Sequence, residues 1–279
     1  MNYYTPATVA EAIAVLCEHD GRARVVGGGT DLLVETRRGL RRAYDAVVDA
    51  TRIEGLDRIT EEDGYIVIGC GVTHTEIVND ERIVRHGTCL SESCGVIGGP
   101  QVRNVGTLAG NVAHALPAGD GTIGLLALDG EVEIASVGGS RWMPARDTFS
   151  GPGRSVIDRH REVLTRLRFR PTGSREGSAF HRVMRPQGLC LPIVSMAAKI
   201  TLDSELIAAA NISMGPVGPV PWFAEPAAAT LIGGPATAER YEKAVETALE
   251  NVSLRASKYR ATEEYRTLML RTFLPVILA

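Results

Sequence analysis

The sequence predicts an α+β protein in two parts, and three patterns indicate it. Near the N-terminus, a strand, a run of glycines and a helix follow one another over residues 22–38, and a further strand comes next. Short connections of this kind indicate a small parallel unit. Residues 178–214 alternate apolar and polar side chains, which is typical of antiparallel strands. Three helical patterns follow, so we expect the second part to be a three-stranded antiparallel sheet with about three helices.

The first unit begins with Thr8–Glu11, whose spacing is that of a helix capping box. It predicts a helix to about His19, followed by a strand over 22–26. The glycines of Val25-Val-Gly-Gly-Gly-Thr-Asp-Leu-Leu33 then lead into a helix over 32–38, and a strand over 43–49 completes the unit. In open α/β sheets, ligands bind at the carboxyl ends of the strands. The glycine turn is therefore predicted to lie where a ligand binds.

The middle of the chain contains a second capping box, Thr73–Glu76. His74 in this box is expected at the surface in the first helical turn rather than in contact with a ligand. Gly138-Gly139 predicts a two-residue hairpin turn. The turn-rich residues 170–177 indicate a domain boundary. The other predicted elements are strands over 65–70, 131–137, 140–144, 162–169, 178–184, 193–202 and 205–214, and helices over 82–97, 120–128, 225–231, 236–252 and 262–273.

The run that organises the chain extends from Gln101 to Asp120 and contains three glycines, several alanines and no aromatic residue. Gly106-Thr107 predicts the start of a helix, where unpaired backbone N–H groups and the helix dipole favour an anion. The spacing in this run and in the first glycine turn is neither G-x-G-x-x-G nor that of a P-loop. Two glycine-rich turns far apart in the sequence indicate a long ligand held at two points.

These two runs resemble the paired motifs of the FAD-binding medium subunit of molybdenum hydroxylases, the group that includes CO dehydrogenase and xanthine dehydrogenase. The first resembles that family's GGTDLL-type turn. The second departs from the family's glycine pair at Ala109, which is small enough for close approach where the backbone needs no positive φ. It matches the QxRNxGTxGGNxAxAxPAGD-type run at Gln101, Arg103, Asn104, Gly106, Thr107, Gly110, Asn111, Ala113, Ala115, Pro117, Ala118, Gly119 and Asp120.

The resemblance implies a two-lobed FAD-binding domain of the vanillyl-alcohol-oxidase type over residues 1–172, with lobes of about 1–55 and 56–172. A C-terminal domain of the CO dehydrogenase flavoprotein type is expected over 173–279. The implied role is electron transfer within a multi-subunit molybdenum hydroxylase. The FAD on this chain would take electrons from [2Fe–2S] clusters on a small subunit. A large subunit would carry the molybdenum–pterin cofactor, in a dimer of heterotrimers, and quinone, NAD⁺ or oxygen would accept the electrons.

The amide groups of the two runs are expected to hold the FAD pyrophosphate from two walls of one groove. Asp120 is expected either to accept a hydrogen bond from a ribityl hydroxyl or the flavin N3–H, or to cap the following helix. His181 or Arg182 is expected either near the flavin N1 and O2 or in a surface salt bridge. Residues 189–193 are expected either near the isoalloxazine ring or in the core. The predicted FAD-binding residues are Gly27, Gly28, Gly29, Thr30, Asp31, Thr107, Leu108, Ala109, Gly110, Asn111, Asp120 and Arg182.

Composition and charge exclude several classes of protein. The formal net charge of −3 gives no electrostatic indication of nucleic-acid binding, and the arginines at 37, 38, 41 and 42 are interpreted as a solvated helix end. No signal peptide or membrane span is recognised, which predicts a cytoplasmic location. Five cysteines without a C-x-x-C pair predict neither a disulfide framework nor a metal site, although Cys89 and Cys94 are close in sequence.

Two other functions remain open at the level of sequence. The chain could be a stand-alone FAD-dependent oxidase or dehydrogenase of a small molecule, although about one hundred C-terminal residues are few for a substrate domain. It could also be a non-redox protein whose glycines only form tight turns. No nucleophile–base pair, metal triad or carboxylate dyad is recognised beside the glycine runs, which favours electron transfer.

Overall fold

The computed structural model describes residues 1–39, 44–185, 191–257 and 260–279. Some sequence predictions fall outside the described residues. They concern Arg41, Arg42 and Cys190, residue 43 of the strand predicted over 43–49, and residues 189 and 190 of the segment predicted near the flavin ring. The strands are β1 (Asn2–Tyr4), β2 (Ala23–Val26), β3 (Ala46–Asp49), β4 (Ile59–Glu62), β5 (Tyr65–Gly69), β6 (Glu131–Ser136), β7 (Gly139–Pro144), β8 (Phe149–Gly151), β9 (Arg154–Ser155), β10 (Val163–Phe169), β11 (Glu176–Met184), β12 (Pro192–Asp203), β13 (Leu206–Gly215) and β14 (Trp222–Phe223).

The helices largely follow the sequence patterns, but the helix predicted over 82–97 is divided at Gly87 into two. They are α1 (Val9–Glu18), α2 (Leu32–Arg37), α3 (His74–Asn79), α4 (Glu81–His86), α5 (Thr88–Gly95), α6 (Pro100–Arg103), α7 (Leu108–His114), α8 (Asp120–Ala127), α9 (Glu225–Leu231), α10 (Ala238–Asn251) and α11 (Glu263–Leu278). The capping box predicted at Thr73 is present in full, whereas the Glu11 carboxylate accepts from the N–H of Ala7 rather than from that of Thr8. In the described ranges, every helix lacks the length or the apolar content of a bilayer-spanning segment.

A three-stranded sheet forms the first part of the chain, in the order β1-β3-β2, with both pairs parallel. The strand–helix–strand unit predicted over β2, α2 and β3 is therefore confirmed. Strand β1 was not predicted, because three residues are too few to show an alternating pattern. The glycine turn after β2 lies at the carboxyl end of that strand, as expected.

The second sheet has the order β4-β5-β10-β6-β7, and all of its strand pairs are antiparallel. The hairpin between β6 and β7 is confirmed, but its turn is shifted by one residue. Ser136 pairs with Gly139, so the two turn residues are Val137 and Gly138. Gly139, with φ +116°, is the residue that needs the freedom of glycine. A continuous core joins these two sheets to α1 and the helices between them, and Leu16, Ile68 and Phe169 are fully buried in it.

The C-terminal sheet has four strands in the order β11-β12-β13-β14, so the prediction of three strands is wrong. The fourth strand, β14, pairs Trp222 with Met214 and Phe223 with Ser213. It escaped prediction because two residues cannot show alternation and the preceding segment, rich in proline and glycine, indicates a loop. A second core lies between this sheet and α9, α10 and α11, with Met196, Leu231 and Leu274 fully buried.

Helix α8 connects the two parts, because it packs on α5 on one side and on β12 and β13 on the other. The Ser213 hydroxyl donates to the carbonyl oxygen of Ile123 at 2.7 Å, and the Asn211 amide donates to that of Ala127 at 3.2 Å. The C-terminal sheet is thus fixed to the helix that follows the central motif.

Candidate functional site

The first wall of the site is the glycine turn between β2 and α2. Gly29 adopts φ +67°, a conformation that L side chains rarely tolerate. Within the described ranges, the backbone N–H groups of residues 28–32 donate to no protein acceptor. The turn therefore presents a consecutive set of unpaired donors, which is the property that binds phosphate at a glycine turn followed by a helix.

The second wall is the start of α7. Thr107 is the N-cap, with φ −114° and ψ 151°, and its Oγ1 accepts from the N–H of Gly110 at 3.0 Å. Gly110 is exposed, and a Cβ atom built on it would meet only Oγ1 of Thr107, at 3.1 Å. Ala109 lies inside the helix, where no positive φ is required, so its departure from the family's glycine is accommodated. The predicted helix start is confirmed, and the backbone at Gly110 is open to a ligand.

The two walls touch. A Cβ atom on Gly28 would overlap the carbonyl oxygen of Val105, and one on Gly27 would lie 2.7 Å from Oγ1 of Thr107. Because real Cβ contacts are not so short, only glycine fits at either position. The structure thus brings together two runs that are almost eighty residues apart in the sequence.

Side chains reinforce this contact. Nδ1 of His114, the last residue of α7, lies 3.4 Å from the Asp31 carboxylate, and its Nε2 lies 3.1 Å from that of Glu35 in α2. The hydrogen bond with Asp31 raises the pKa of His114, and the same bond lowers the pKa of Asp31. Asp31 was expected at a helix start and stands at the N-cap of α2, but its side chain makes no cap hydrogen bond. It joins the two runs instead.

Asp120, Arg182 and Ser195 form a buried polar network at the junction with the C-terminal sheet. The Asp120 carboxylate accepts from Nη1 of Arg182 at 3.0 Å and from the hydroxyl of Ser195 at 2.5 Å. Side-chain exposure is 4% for Asp120 and 8% for Arg182. Burial raises the pKa of Asp120, while Ser195 and Arg182 act in the opposite direction. The network thus holds an arginine at the end of the central motif.

This network overturns two of the alternatives left open by the sequence. Asp120 is the first residue of α8 and the N-cap is Gly119. The side chain that accepts from a first-turn N–H is that of Asn111, so the capping role for Asp120 is wrong. The surface salt bridge considered for Arg182 is also wrong, because its partner is buried. His181 points to the opposite face of β11, where its ring stacks on Phe273 with centroids 4.2 Å apart.

The comparison with family models decides the identity. Residues 1–171 match the family described as the FAD binding domain in molybdopterin dehydrogenase, and residues 178–278 match the CO dehydrogenase flavoprotein C-terminal domain. The chain belongs to this flavoprotein family. It is an oxidoreductase flavoprotein subunit, and its FAD-binding domain is the part that contains both walls of the site.

Relatives and solved structures agree over nearly the whole flavoprotein chain. The xanthine dehydrogenase FAD-binding subunit of Escherichia coli O157:H7 is 30% identical over 273 residues, covering 97% of this chain and 92% of the relative. The carbon monoxide dehydrogenase medium chain of Afipia carboxidovorans is 28% identical over 268 residues, with coverages of 96% and 92%. The structure of carbon monoxide dehydrogenase from Hydrogenophaga pseudoflava lacking the Mo-pyranopterin moiety superposes with a TM-score of 0.93, at 25% identity and coverages of 100% and 96%.

The geometry of the flavoprotein's two walls fits FAD. The pyrophosphate of a dinucleotide needs several N–H donors and no crowding, and the unpaired amides of residues 28–32 beside side-chain-free glycines supply both. Asn111 contributes differently, since its Oδ1 accepts from the N–H and the hydroxyl of Thr122 at 3.0 and 2.9 Å and so links α7 to α8. Leu108 is fully buried and contributes its backbone and packing rather than an exposed side chain.

Sequence reasoning misjudged His74, which is 2% exposed rather than at the surface. Its backbone N–H donates to the carbonyl oxygen of Gly106 at 2.9 Å, and its Nδ1 lies 3.4 Å from Sγ of Cys94. Burial, and then the charge of Arg103, lowers the pKa of His74 to about 4. His74 therefore supports the second wall as a neutral imidazole. The signal was its i, i+3 spacing to the buried Ile77 on the same helix face.

Glu35 and Ser195 were also missed as members of the site. Glu35 follows Asp31 by four residues and therefore shares its helix face, so the sequence could have identified the two as an acidic pair. It could not have identified His114 as their partner. Nothing in the sequence connects Ser195 to Asp120. Across the described ranges, no group of three or more His, Cys, Asp or Glu residues is arranged to hold a metal ion, and Cys89 and Cys94 are buried with their pKa values raised by burial.

Proposed function

We propose that this chain is the FAD-carrying electron-transfer subunit of a multi-subunit molybdenum hydroxylase. In this proposal, FAD lies between the two walls and the chain divides into an FAD-binding domain over 1–172 and a C-terminal domain over 173–279. The residues that contact FAD are Gly27, Gly28, Gly29, Thr30, Asp31, Thr107, Leu108, Ala109, Gly110, Asn111, Asp120 and Arg182. When bound, the flavin accepts electrons singly and releases them in pairs.

The observation that supports this proposal most strongly is the contact of Gly28 with Val105. It brings two glycine-containing turns into one groove, with unpaired N–H groups along residues 28–32. A dinucleotide is long enough to contact both turns and carries its two phosphates at the middle. A protein that needed only tight turns would have no reason to leave five consecutive amides, most of them in half-buried residues, without acceptors.

The residues of this chain then have distinct tasks. The amides of the first wall bind the pyrophosphate, and Gly110 lets the ligand reach the backbone of α7. Asp120 has two oxygens and room for further hydrogen bonds beyond Arg182 and Ser195, so it can accept from a ribityl hydroxyl or the flavin N3–H. The charge of Arg182 is largely balanced by Asp120. Its main task is therefore to hold that carboxylate in place.

The route of electrons extends beyond this chain. We propose that they arrive from [2Fe–2S] clusters of a small partner subunit, which receives them from a molybdenum–pterin cofactor on a large subunit. They leave to a quinone, NAD⁺ or another small acceptor. The assembly is proposed to be a cytoplasmic dimer of heterotrimers. Several relatives are named as subunits of such enzymes, including the nicotine 6-hydroxylase medium subunit of Paenarthrobacter nicotinovorans.

The test is to isolate the tagged chain from its native cell and to assay FAD, iron and molybdenum in the same fractions. We expect all three in the assembled complex and FAD alone in the isolated chain. Addition of the complex's reducing substrate should bleach the flavin absorbance of the complex and leave that of the isolated chain unchanged. Absence of FAD from the complex, or turnover of a small alcohol or amine by the isolated chain, would overturn the proposal.

A further inference from the structure

A guanidinium in the C-terminal domain is buried with three of its five N–H donors unused. Arg266, in the first turn of α11, has no exposed surface. Its Nη1 donates to the carbonyl oxygens of Ile193 and Pro216. Its Nε and Nη2 have no hydrogen-bond partner within the described ranges. A buried donor without an acceptor is costly, so this side chain is incomplete without a further group.

The two unused donors lie on the same edge of the guanidinium. Nε–H and the nearer N–H of Nη2 point in parallel, and this fork matches two oxygens of a carboxylate or a phosphate. The opposite edge is occupied by the two carbonyl oxygens. The missing group is therefore an oxyanion rather than a single hydroxyl or carbonyl.

Two further arginines, Arg255 and Arg260, are close enough for their charges to act on Arg266. The N–H of Arg255 donates to the carbonyl oxygen of Val217 at 3.1 Å, next to the carbonyl that binds Arg266. The N–H of Ser257 donates to the carbonyl oxygen of Ala261 at 2.9 Å, and the N–H of Arg260 donates to that of Ser257 at 3.2 Å. Burial, and then the charges of Arg255 and Arg260, lowers the pKa of Arg266 to about 10.

Within the described parts of the chain, Arg255, Arg260 and Arg266 form no ion pair with a carboxylate. We refer to these three residues as the arginine cluster. Three like charges near one another destabilise the fold unless an anion is bound among them. A carboxylate would neutralise one charge, whereas a phosphate group carries about two negative charges at neutral pH.

We propose that the arginine cluster is a binding site for a phosphate group, two oxygens of which are held by Nε and Nη2 of Arg266. Its three arginines are not among the residues proposed to contact FAD, and the site does not depend on the electron-transfer role. It is connected to that groove through the protein. Ile193 lies two residues before Ser195, which binds Asp120, and Gly215, next to Pro216, packs against the carbonyl oxygen of Pro117.

The test is a titration of the full-length, FAD-loaded chain and of its assembled complex with inorganic phosphate. Thermal unfolding and calorimetry are recorded at constant ionic strength, with chloride as the reference salt. We expect phosphate to raise the unfolding temperature until the site is saturated. Arg255→Ala and Arg260→Ala should each weaken phosphate binding by about tenfold, because each removes one charge that faces the anion.

The matched control is Arg271→Ala. Arg271 is on the same helix as Arg266, but it is exposed and paired with Glu246 at 2.8 Å, so its removal should leave phosphate binding unchanged. Arg266→Met removes the buried charge with little loss of volume. It should abolish the response to phosphate and, in phosphate-free buffer, leave the chain at least as stable as the unsubstituted protein. If Arg266→Met fails to fold, Arg255→Ala and Arg260→Ala decide the matter.

A second arm compares inorganic phosphate with adenosine 5′-monophosphate. Tighter binding of the nucleotide, lost in Arg260→Ala, would identify a phosphorylated ligand, whereas equal binding would identify free phosphate. Both results support the site. The proposal is overturned if phosphate and the nucleotide change the unfolding temperature of the chain and of the complex no more than chloride does. It is also overturned if Arg255→Ala, Arg260→Ala and Arg266→Met respond to phosphate like the unsubstituted protein. Protection of the arginines from chemical modification by partner subunits alone would also overturn it, because it would indicate a partner carboxylate.

Discussion

The imidazole of His114 lies between the carboxylates of Asp31 and Glu35, at 3.4 and 3.1 Å, and so joins the end of α7 to the start of α2. Asp31 belongs to the run that contains the glycine turn, and His114 belongs to the central motif. The pair therefore fixes the separation of the two walls between which FAD is proposed to bind.

This arrangement predicts a dependence of FAD retention on pH. The pKa of His114 is raised above its ordinary 6.5, so its contribution is complete below 6.5 and is lost as the pH rises through the raised value. The pKa of Asp31 is lowered below 3.8, so its contribution is present above 3.8 and is lost only in stronger acid. We expect FAD to dissociate more readily as the pH rises above 6.5, measured as flavin left on the protein after gel filtration.

The His114→Gln variant should retain less FAD than the unsubstituted protein below pH 6.5, and its FAD retention should no longer change as the pH rises above that value. The control is His86→Gln, because Nδ1 of His86 contacts only the carbonyl oxygen of Thr172, at 2.8 Å, away from the groove. An unchanged pH profile in His114→Gln would show that this histidine does not hold the walls together.

Gly110→Val tests the position of the groove. The new side chain would extend into the space beside Oγ1 of Thr107 and obstruct the approach of a ligand to α7, while the core remains untouched. We expect FAD content to fall sharply and the far-ultraviolet circular dichroism to stay unchanged. The matched control is Gly177→Val, since a Cβ on Gly177 meets nothing within 4 Å. Full FAD content in Gly110→Val would place the ligand elsewhere.

Asp120→Asn should destabilise the chain because it leaves the Arg182 guanidinium buried without a carboxylate. Breaking one side of a buried ion pair lowers the free energy of unfolding by about 3 kcal/mol, whereas replacing both partners lowers it less. We therefore expect Asp120→Asn, Arg182→Met and the double variant to be clearly non-additive in urea unfolding, measured without FAD. Additive losses would mean that the contact at 3.0 Å contributes little to stability.

Cys94→Ser should leave FAD content unchanged, because Cys94 is fully buried against His74 and Gly121 rather than in the groove. We expect a loss of stability of about 1 kcal/mol, the typical penalty for burying a hydroxyl with an imperfect partner. Flavin absorbance, iron content and the midpoint of thermal unfolding are the measurements. A drop in the iron content of the purified chain would show that Cys94 binds a cluster.

The sequence was sufficient to locate most of the longer elements and the two walls, because their signals are local. Thr73 and Thr107 cap their helices as their patterns predict, and Gly39 ends α2. The sequence predicted that the two turns hold one ligand, but not that Gly28 lies against Val105. Two glycine-rich turns do not by themselves reveal that they touch, since nothing in their residues specifies the long-range pairing.

The wrong predictions for His74 and Arg182 share one physical cause, which is that the burial of a residue depends on which elements pack against it. His74 has the polarity of a surface residue, yet α5 and the second wall enclose it. The ion pair of Arg182 and Asp120 joins residues sixty-two positions apart, and only the arrangement of β11 against α8 determines that it is buried. Strand β14 depends on β13 for its existence and has no pattern of its own.

Helix α8 has a consequence for attempts to divide the protein. Ser195, Asn211 and Ser213 reach it from β12 and β13 at Asp120, Ala127 and Ile123, along its whole length. A shortened chain ending near residue 171 would expose to water the face of α8 that β12 and β13 cover, with Asp120 left unpaired at its start. We expect such a fragment to aggregate, so that the part of the chain that matches the FAD-binding family model would need its neighbour to remain in solution.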